Sequence, residues 1–475
     1  MMTVGPPRRG GRVKVAETSP RTVMGLLHGI GLLATFALAV AETSGALVLQ
    51  QADGWRIEIE APSVAVSADG RFVAFVSYAR LLPVDTNQIA DIYVFDTRSG
   101  QMTLESVGKD GRPADAASFH PTLSADGRIV AFDSSARNLV DVPLAEGQSH
   151  VYVRDRARGE TRLASVAVDG STPDAGSFLP SISGDGATVA FESSATNLVD
   201  LPDANSVGAD IYVADLDDGA IERVSVNSAG EQAPLGTSFT PGLSANGTRV
   251  AFTSTADIEC AGGRTSCPPW RQDTNGLPDV YVRDRRDGST RRLSRGADGD
   301  ETLAPSHHPA LDQNGRFVAF VSVAGNLVAG DRNRAEDVFL YDLETGKTTL
   351  VSRRAGGGVS GNGRSLQPDV SADGRFVGFQ SKASDLVCAR SCAPTDVDDN
   401  NTWDVFLFDA ETGRMTRVSA DPGRQAWREA SAGVRLDAAG RLVAFQSSKP
   451  SGPHDLRADY DLFLRWMRGF GSPQS

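Results

Sequence analysis

Five regularly spaced stretches of this 475-residue chain place a serine three residues ahead of a proline, and the residue just before the proline varies. The copies are Ser118-Phe119-His120-Pro121, Ser177 to Pro180, Ser238 to Pro241, Ser306-His307-His308-Pro309 and Ser365-Leu366-Gln367-Pro368. The variable position therefore holds His120, Leu179, Thr240, His308 and Gln367 in turn. Imidazole nitrogens suit transition metals. If the copies converge on one axis, His120, His308, Gln367 and the adjacent His307 form a candidate ligand set. The alternative is a group of polar side chains lining a wet channel. A second recurring pattern is Asp-x-Asn ahead of another acid: Asp85/Asn87/Asp91, Asp273/Asn275/Asp279 and Asp331/Asn333/Asp337. Asp203/Asn205/Asp210 and the acid-rich stretch 396–404 are variants. Oxygen ligands at alternate positions suit calcium. The spacing is not that of an EF-hand loop, and Asp and Asn also form turns by bonding their own backbone.

The cysteines fall in two close pairs, Cys260 with Cys267 and Cys388 with Cys392. Even, close pairing in an exported chain reads as two small disulfide loops. A four-thiolate zinc site is the alternative, although neither spacing is Cys-x-x-Cys. Trp270 and Trp403, with Trp55 and Trp427, lie in the same class of segment as the cysteines. They could form an aromatic rim for a sugar or peptide, or each could pack beneath its own loop.

What must position these residues is a repeat. SADGRFVAFVS at 67–77 returns as SADGRIVAFDS at 124–134, SGDGATVAFES at 183–193 and SANGTRVAFTS at 244–254. It returns again as DQNGRFVAFVS at 312–322, SADGRFVGFQS at 371–381 and DAAGRLVAFQS at 437–447. A glycine turn feeding alternating Val, Ala and Phe predicts a tight hairpin into a strand. A short apolar strand precedes each turn. A third strand follows a variable loop, as in DIYVFD at 91–96 or DVFLYD at 337–342. Six of the third strands enter an Asp-x-x-x-Gly turn, from Asp96–Gly100 to Asp409–Gly413, and a fourth strand follows. The turn glycines Gly70, Gly127, Gly186, Gly247, Gly315, Gly374 and Gly440 are 57 to 68 residues apart. Seven four-stranded antiparallel units predict an all-β, seven-bladed β-propeller.

The seventh unit runs out after its third strand. Residues 46–54, ALVLQQADG, stand as far ahead of Gly70 as RLASVAVDG at 162–170 stands ahead of Gly186. An N-terminal strand is therefore expected to complete the last blade and remove the exposed edge. Ahead of it, Arg8, Arg9, Arg12, Lys14 and Arg21 precede an apolar run from Val23 to Ala41 ending in small residues. That order reads as a secretory signal over residues 1–41, with 42–475 the propeller. An uncleaved membrane anchor is the other possibility. Either way the rest of the chain is expected outside the cytoplasm, in the periplasm or secreted. Without residues 1–41, which hold five basic residues and one acid, 42 basic and 59 acidic residues remain, a net charge of −17. So acidic a domain repels phosphate backbones and anionic membranes, so neither is an expected partner.

The S-x-D-G-x-x-[VI]-A-F stretch, the D-[IV]-[YF]-[VL]-x-D strand and the T-G turns at Thr345-Gly346 and Thr412-Gly413 resemble the TolB-like propellers built from PD40 (WD40-like) repeats. The resemblance covers about residues 46–466. It implies the propeller and says little of function. TolB itself carries an α/β domain before its propeller, whereas the blades here begin right after the expected signal, so a role in the Tol–Pal system does not carry over. Seven-bladed oligogalacturonate lyases, similar in repeat, use His and Gln ligands at the channel for a catalytic metal. That implies such a role for His120, His308 and Gln367 only where the pattern matches, and the chain shows no further match. No Gly-x-Ser-x-Gly elbow, hydrolase domain, phosphate loop or nucleotide fingerprint is present,.

Strand order sends the S-x-D-G and Asp-x-x-x-Gly turns to one face. The long loops, both cysteine pairs and the blade connections go to the other, where function on a rigid scaffold concentrates. The expected function is a binding or protein-interaction scaffold that takes a protein, peptide or saccharide on the loop-rich face. The alternative is a metal-dependent, lyase-like enzyme acting on a polysaccharide or oligosaccharide at the central channel. The first requires no cofactor, and calcium or a transition metal stays open.

Overall fold

The computed structural model describes residues 64–448, except 206–207, 264–266, 270, 389–397, 399, 421–426 and 428, together with residues 461–467. Of residues 38–43 and 46–51 the strand backbone alone is described. Residues 1–37 of the expected signal over 1–41, and Trp55, Trp270 and Cys392, lie outside the described residues.

Seven antiparallel sheets form, six of them from consecutive stretches of chain and the seventh from both ends of it. Blade 1 is Val64–Val66, Phe72–Ser77, Asp91–Asp96 and Met102–Leu104, from the innermost strand outward. Blade 2 is Ser118–Leu123, Ile129–Ser134, His150–Asp155 and Glu160–Leu163. Blades 3 to 6 repeat the plan, their innermost strands being Ser177–Ile182, Ser238–Leu243, Ser306–Leu311 and Ser365–Val370. Blade 7 holds Ser431–Leu436, Leu442–Ser447 and Asp461–Trp466. Ala46–Gln51 pairs antiparallel with its third strand, Ala46 opposite Arg465 and Val48 opposite Phe463. Leu38–Thr43 pairs on the outer side of Ala46–Gln51 and spans the expected cut after Ala41. The innermost strands touch their neighbours around the ring, including that of blade 7 against that of blade 1.

Each repeated residue has a physical task. The Phe of the second strand stacks on the Tyr or Phe opposite it in the third strand in all seven blades, from Phe75–Tyr93 at 5.9 Å between centroids to Phe445–Phe463 at 5.6 Å. Such cross-strand pairs stabilise sheets by about 0.2–1 kcal/mol each. The Val and Ala neighbours face the adjacent sheets, so the core is divided into seven clusters, one between each pair of adjacent blades. The arginine of the turn pairs with the aspartate that ends the third strand: Arg71–Asp96, Arg128–Asp155, Arg249–Asp284, Arg316–Asp342 and Arg375–Asp409, at 2.6–3.0 Å. These pairs fix both kinds of turn on one face, as strand order requires.

The second residue of each S-x-D-G turn links the blades. Ala68 N–H donates to Ala125 C=O, Ala125 to Gly184, Asp185 to Ala245 and Ala245 to Gln313. Asn314 then donates to Ala372, Ala372 to Ala438, and Ala438 back to Ala68. This closed loop of seven backbone bonds, 2.8–3.3 Å long, runs in one direction around the turn face. It satisfies amides that a tight turn would otherwise leave to solvent.

Candidate functional site

The Ser-x-x-Pro copies, expected in the connections, lie inside the innermost strands. In blade 2, Phe119 pairs with Asp133 but Thr122 pairs with Ala131, so His120 and Pro121 together oppose Phe132. The same shift occurs at the equivalent place in blades 3 to 7. This is a β-bulge, which breaks the ladder where proline has no N–H to give. The residue before each proline takes a left-handed backbone, with φ of 50° at His120 and Leu179, 51° at Thr240 and Gln367 and 52° at His308. Blade 7 places Gly433 there at 68°. For a non-glycine residue this region costs about 1–2 kcal/mol. Its recurrence around the loop-rich end of the channel marks that mouth as the place where strain is stored.

The bulged N–H groups find acceptors on the preceding blade. Leu179 N–H donates to Asp133 Oδ1, Thr240 N–H to Glu192 Oε2 and Gly433 N–H to Gln380 Oε1, each at 3.2 Å. Asp133 Oδ1 also lies 2.7 Å from His120 Nδ1, and Thr240 Oγ1 lies 3.0 Å from Thr253 Oγ1. Asp133, Glu192 and Gln380 were not among the expected site residues. All three occupy the tenth position of the eleven-residue repeat, where the seven copies read V, D, E, T, V, Q and Q. That divergence inside an otherwise uniform motif was the available signal.

His307 and His308 turn to each other, Nδ1 to Nδ1 at 2.6 Å, so one ring donates and the other accepts. Burial holds both imidazoles below their usual pKa. His307 falls to about 4 through burial first, then the neighbouring His308, with Glu336 partly offsetting them. His308 is lowered by burial and by Arg435. Both are neutral near pH 7. Gln367 Oε1 is buried with no hydrogen-bond partner. His120, His308 and Gln367 stand at equivalent bulged positions of their innermost strands. Among the described residues, no three His, Cys, Asp or Glu ligand atoms that include a channel histidine lie within 4.8 Å of one another. The group that does is Asp273, Asp279 and Glu301, outside the channel.

Its two aspartates belong to the Asp-x-Asn pattern, which runs from the long loop into the start of the third strand in several blades. Asn275 N–H bonds Asp273 Oδ1 and Asn87 N–H bonds Asp85 Oδ1, each at 3.1 Å, so the pattern makes turns as well as gathering acids. In blade 4 the guanidinium of Arg292 fills the centre, at 2.8 Å from both Asp279 Oδ2 and Glu301 Oε1. In blade 3, Arg223 approaches Asp210, and Gln232 donates to Asp203 and Asp210. In blade 6, Arg417 approaches Asp398. In blade 1 the Tyr93 hydroxyl donates to Asp85 Oδ2 at 2.5 Å.

Of the aromatic rim, Trp427 is a core residue. It is 4% exposed and packs on Phe463 and Phe445, at 4.8 and 5.7 Å between centroids. Trp403 is half-buried, with the Lys382 ammonium 5.2 Å from its ring centre. Cys260 and Cys267 form a disulfide, and Cys388 is disulfide-bonded as well.

The loop-rich face also carries apolar groups in unusual places. Three residues ahead of the innermost strand, blades 2, 3 and 6 use Asp115, Asp174 and Asn362, each accepting a backbone N–H of the neighbouring loop at 2.8 Å. Blades 4 and 5 place Leu235 and Leu303 there, 78% and 81% exposed. Val84, Val168, Phe178 and Leu201, also exposed, belong to the same face.

Fold and mouth together define a seven-bladed β-propeller of four-stranded blades, as the TolB-like resemblance implied at the level of fold. No family model matches the chain. No curated protein matches it in sequence. Among solved structures it is similar to an oligogalacturonate lyase from Vibrio parahaemolyticus, 11% identical with a TM-score of 0.51, over 92% of this chain and 98% of that one. An oligogalacturonate lyase in complex with manganese is 12% identical with a TM-score of 0.50, over 92% and 96% of the two chains. TolB from Acinetobacter baumannii is 16% identical with a TM-score of 0.36, over 66% of this chain, which spans only 61% of that structure. At such identities the likeness is one of fold.

Proposed function

We propose that this protein is an exported binding module that docks an apolar segment of a protein or peptide partner across blades 4 and 5, beside the channel mouth. The observation that carries this reading is the pair Leu235 and Leu303. At the same position three sister blades show that a capping Asp or Asn fits the fold, so the leucines are not demanded by the scaffold. Adjacent exposed apolar side chains on a loop-built face favour an interaction site. A saccharide would call for the aromatic rim, and Trp427 has left that rim for the core. Export accords with the Cys260–Cys267 bond, since disulfides persist in oxidising compartments,.

The double change Leu235→Asp with Leu303→Asp gives blades 4 and 5 their sisters' residue. Peptides selected from a display library on the native protein should carry an apolar anchor. They should bind the variant at least about tenfold more weakly, since burying a leucine contributes about 1.5–3 kcal/mol. Stability should be unchanged. Selected peptides that bind both proteins equally would remove the leucine pair from the site.

The pairing of Ala46–Gln51 with Asp461–Trp466 supports the further reading that the N-terminal segment completes blade 7. Deleting residues 42–51 from the mature protein is expected to lower the urea midpoint. The ring should stay folded, because the turn bonds and innermost strands also join blade 7 to blade 1. An unchanged midpoint would remove that strand from the ring.

A further inference from the structure

Blade 5 repeats the acidic pocket of blade 4 without the cation. Asp331, Asn333 and Asp337 occupy the places of Asp273, Asn275 and Asp279. The place of Arg292 is taken by Leu350, a buried core residue, and that of the phenol Tyr93 by Phe339. Nothing replaces the lost charge. Asp331 is 6% exposed; the Ser360 hydroxyl and the Asn333 N–H approach its carboxylate, but neither oxygen makes a well-formed hydrogen bond and no cation among the described residues faces it. Asp337 is fully buried; Ser352 donates to its Oδ1 at 2.6 Å, and its Oδ2 has no partner. Three buried carboxylate oxygens thus point into a space that sister blades fill with a guanidinium or a phenol. Burying such oxygens uncompensated is costly, and a positive charge is what the other blades supply.

We infer that blade 5 binds a single divalent cation, of the hard, oxygen-preferring kind such as calcium, between Asp331 and Asp337. Asp331 offers two oxygens and Asp337 one. The Ser360 hydroxyl lies at the same pocket, where it accepts the Arg332 N–H at 3.0 Å. Carboxylate and hydroxyl oxygens without nitrogen or sulfur donors favour calcium or magnesium over zinc. The Asn333 side chain is already committed, donating to Gly361 C=O and accepting the Ala335 N–H, both at 2.8 Å. It therefore shapes the loop and is not counted as a ligand. The charged group acting on Asp337 is Asp331, while Ser352, Ser360 and Asn333 face the pair as neutral groups. The pocket lies beneath a loop on the loop-rich face, so an ion there would stiffen that loop. This site is independent of the leucine pair.

The test uses the full mature protein after chelation. Titration calorimetry with calcium alone, and then magnesium alone, at pH 7.5 should give one site per chain. Thermal unfolding should rise by several degrees in 1 mM calcium. The variant Leu350→Arg, which writes the blade 4 residue into blade 5, should abolish calcium binding. Its midpoint in chelator should match or exceed that of the native protein with calcium. Asp331→Asn with Asp337→Asn should also lose the ion while staying folded. No heat and no shift with either ion would overturn the inference, leaving a proton shared by the two acids as the neutralising device. Undiminished calcium binding in Leu350→Arg would overturn it too, by placing the ion elsewhere.

Discussion

Replacing Arg292 by leucine, the residue blade 5 carries at that position, will destabilise the protein by about 3–5 kcal/mol at pH 8, as breaking a buried ion pair does. The Arg292 side chain is 1% exposed, as is that of Asp279, and the guanidinium also serves Glu301. Leucine leaves these acids with no counter-charge and with a gap where the longer side chain lay. The loss will depend on pH. Burial already pushes the Asp279 carboxyl up to about 6, although Arg292 pulls the other way. In the variant that carboxyl rises further. A carboxyl raised in the folded state takes up protons on folding, so stability is greatest below its unfolded pKa. It falls as pH rises through the folded value. The cost of Arg292→Leu should therefore shrink on going from pH 8 to pH 5, because the protonated Asp279 no longer needs the guanidinium. Urea midpoints of native and variant protein at the two pH values measure this. An equal loss at both would mean that packing, and not charge, is what the arginine contributes.

Gly374→Ala will cost about 2–5 kcal/mol, combining a left-handed backbone at about 1–2 kcal/mol with overpacking at about 1–3 kcal/mol. Gly374 has φ of 73°, and a Cβ there would come within 2.0 Å of the Phe317 ring on the neighbouring blade. Gly127 meets Phe72 and Gly440 meets Phe376 in the same way. The turn glycine thus provides both the hairpin backbone and the surface on which the previous blade's second strand begins. Gly159 is the control. Its φ is 68° with nothing within 4 Å, so Gly159→Ala should cost only the backbone term, about 1–2 kcal/mol,. Denaturation midpoints that fall equally for the two variants would show that the inter-blade contact yields without cost.

Much of this architecture was legible in the residues. The eleven-residue repeat gave the blade count, because a glycine turn followed by Val-Ala-Phe alternation has one economical structure, a hairpin with an apolar face. The pairing of turn arginine with strand-end aspartate follows from residues that recur in register, Arg71 with Asp96 and Arg375 with Asp409. The mouth was legible only in part. His120 and His308 were recognised as equivalent, and both take the same left-handed backbone before a proline, but a shared place in a repeat does not by itself decide what each side chain bonds. His120 turns to Asp133 on its own blade, and His308 turns to His307.

The Asp-x-Asn copies teach the same lesson from the other side. In sequence Asp273/Asn275/Asp279 and Asp331/Asn333/Asp337 are the same motif, and both suited either a turn or calcium. Their difference lies outside the motif, some 13 residues on in the fourth strand, where Arg292 faces one pair and Leu350 takes its place beside the other. Spacing in the chain does not reveal that contact, because it depends on the register of the third and fourth strands, Tyr281 opposite Arg292 and Phe339 opposite Leu350. Of the two readings of the tryptophans, Trp427 takes the second, packing inward. A residue in a connection is not thereby on the rim, and this one fills space against Phe445 and Phe463 that the blade leaves open.

By itself, then, the sequence determined the repeat, the number of blades, the strand order and hence which turns share a face. Those follow from local backbone preferences and from periodicity, which act over a few residues at a time. Only the tertiary structure decided which equivalent residues meet, which buried acids have a cation and where strain gathers. Those outcomes depend on distances between blades and on cross-strand register, and a side chain's charge balance is set by neighbours far away along the chain.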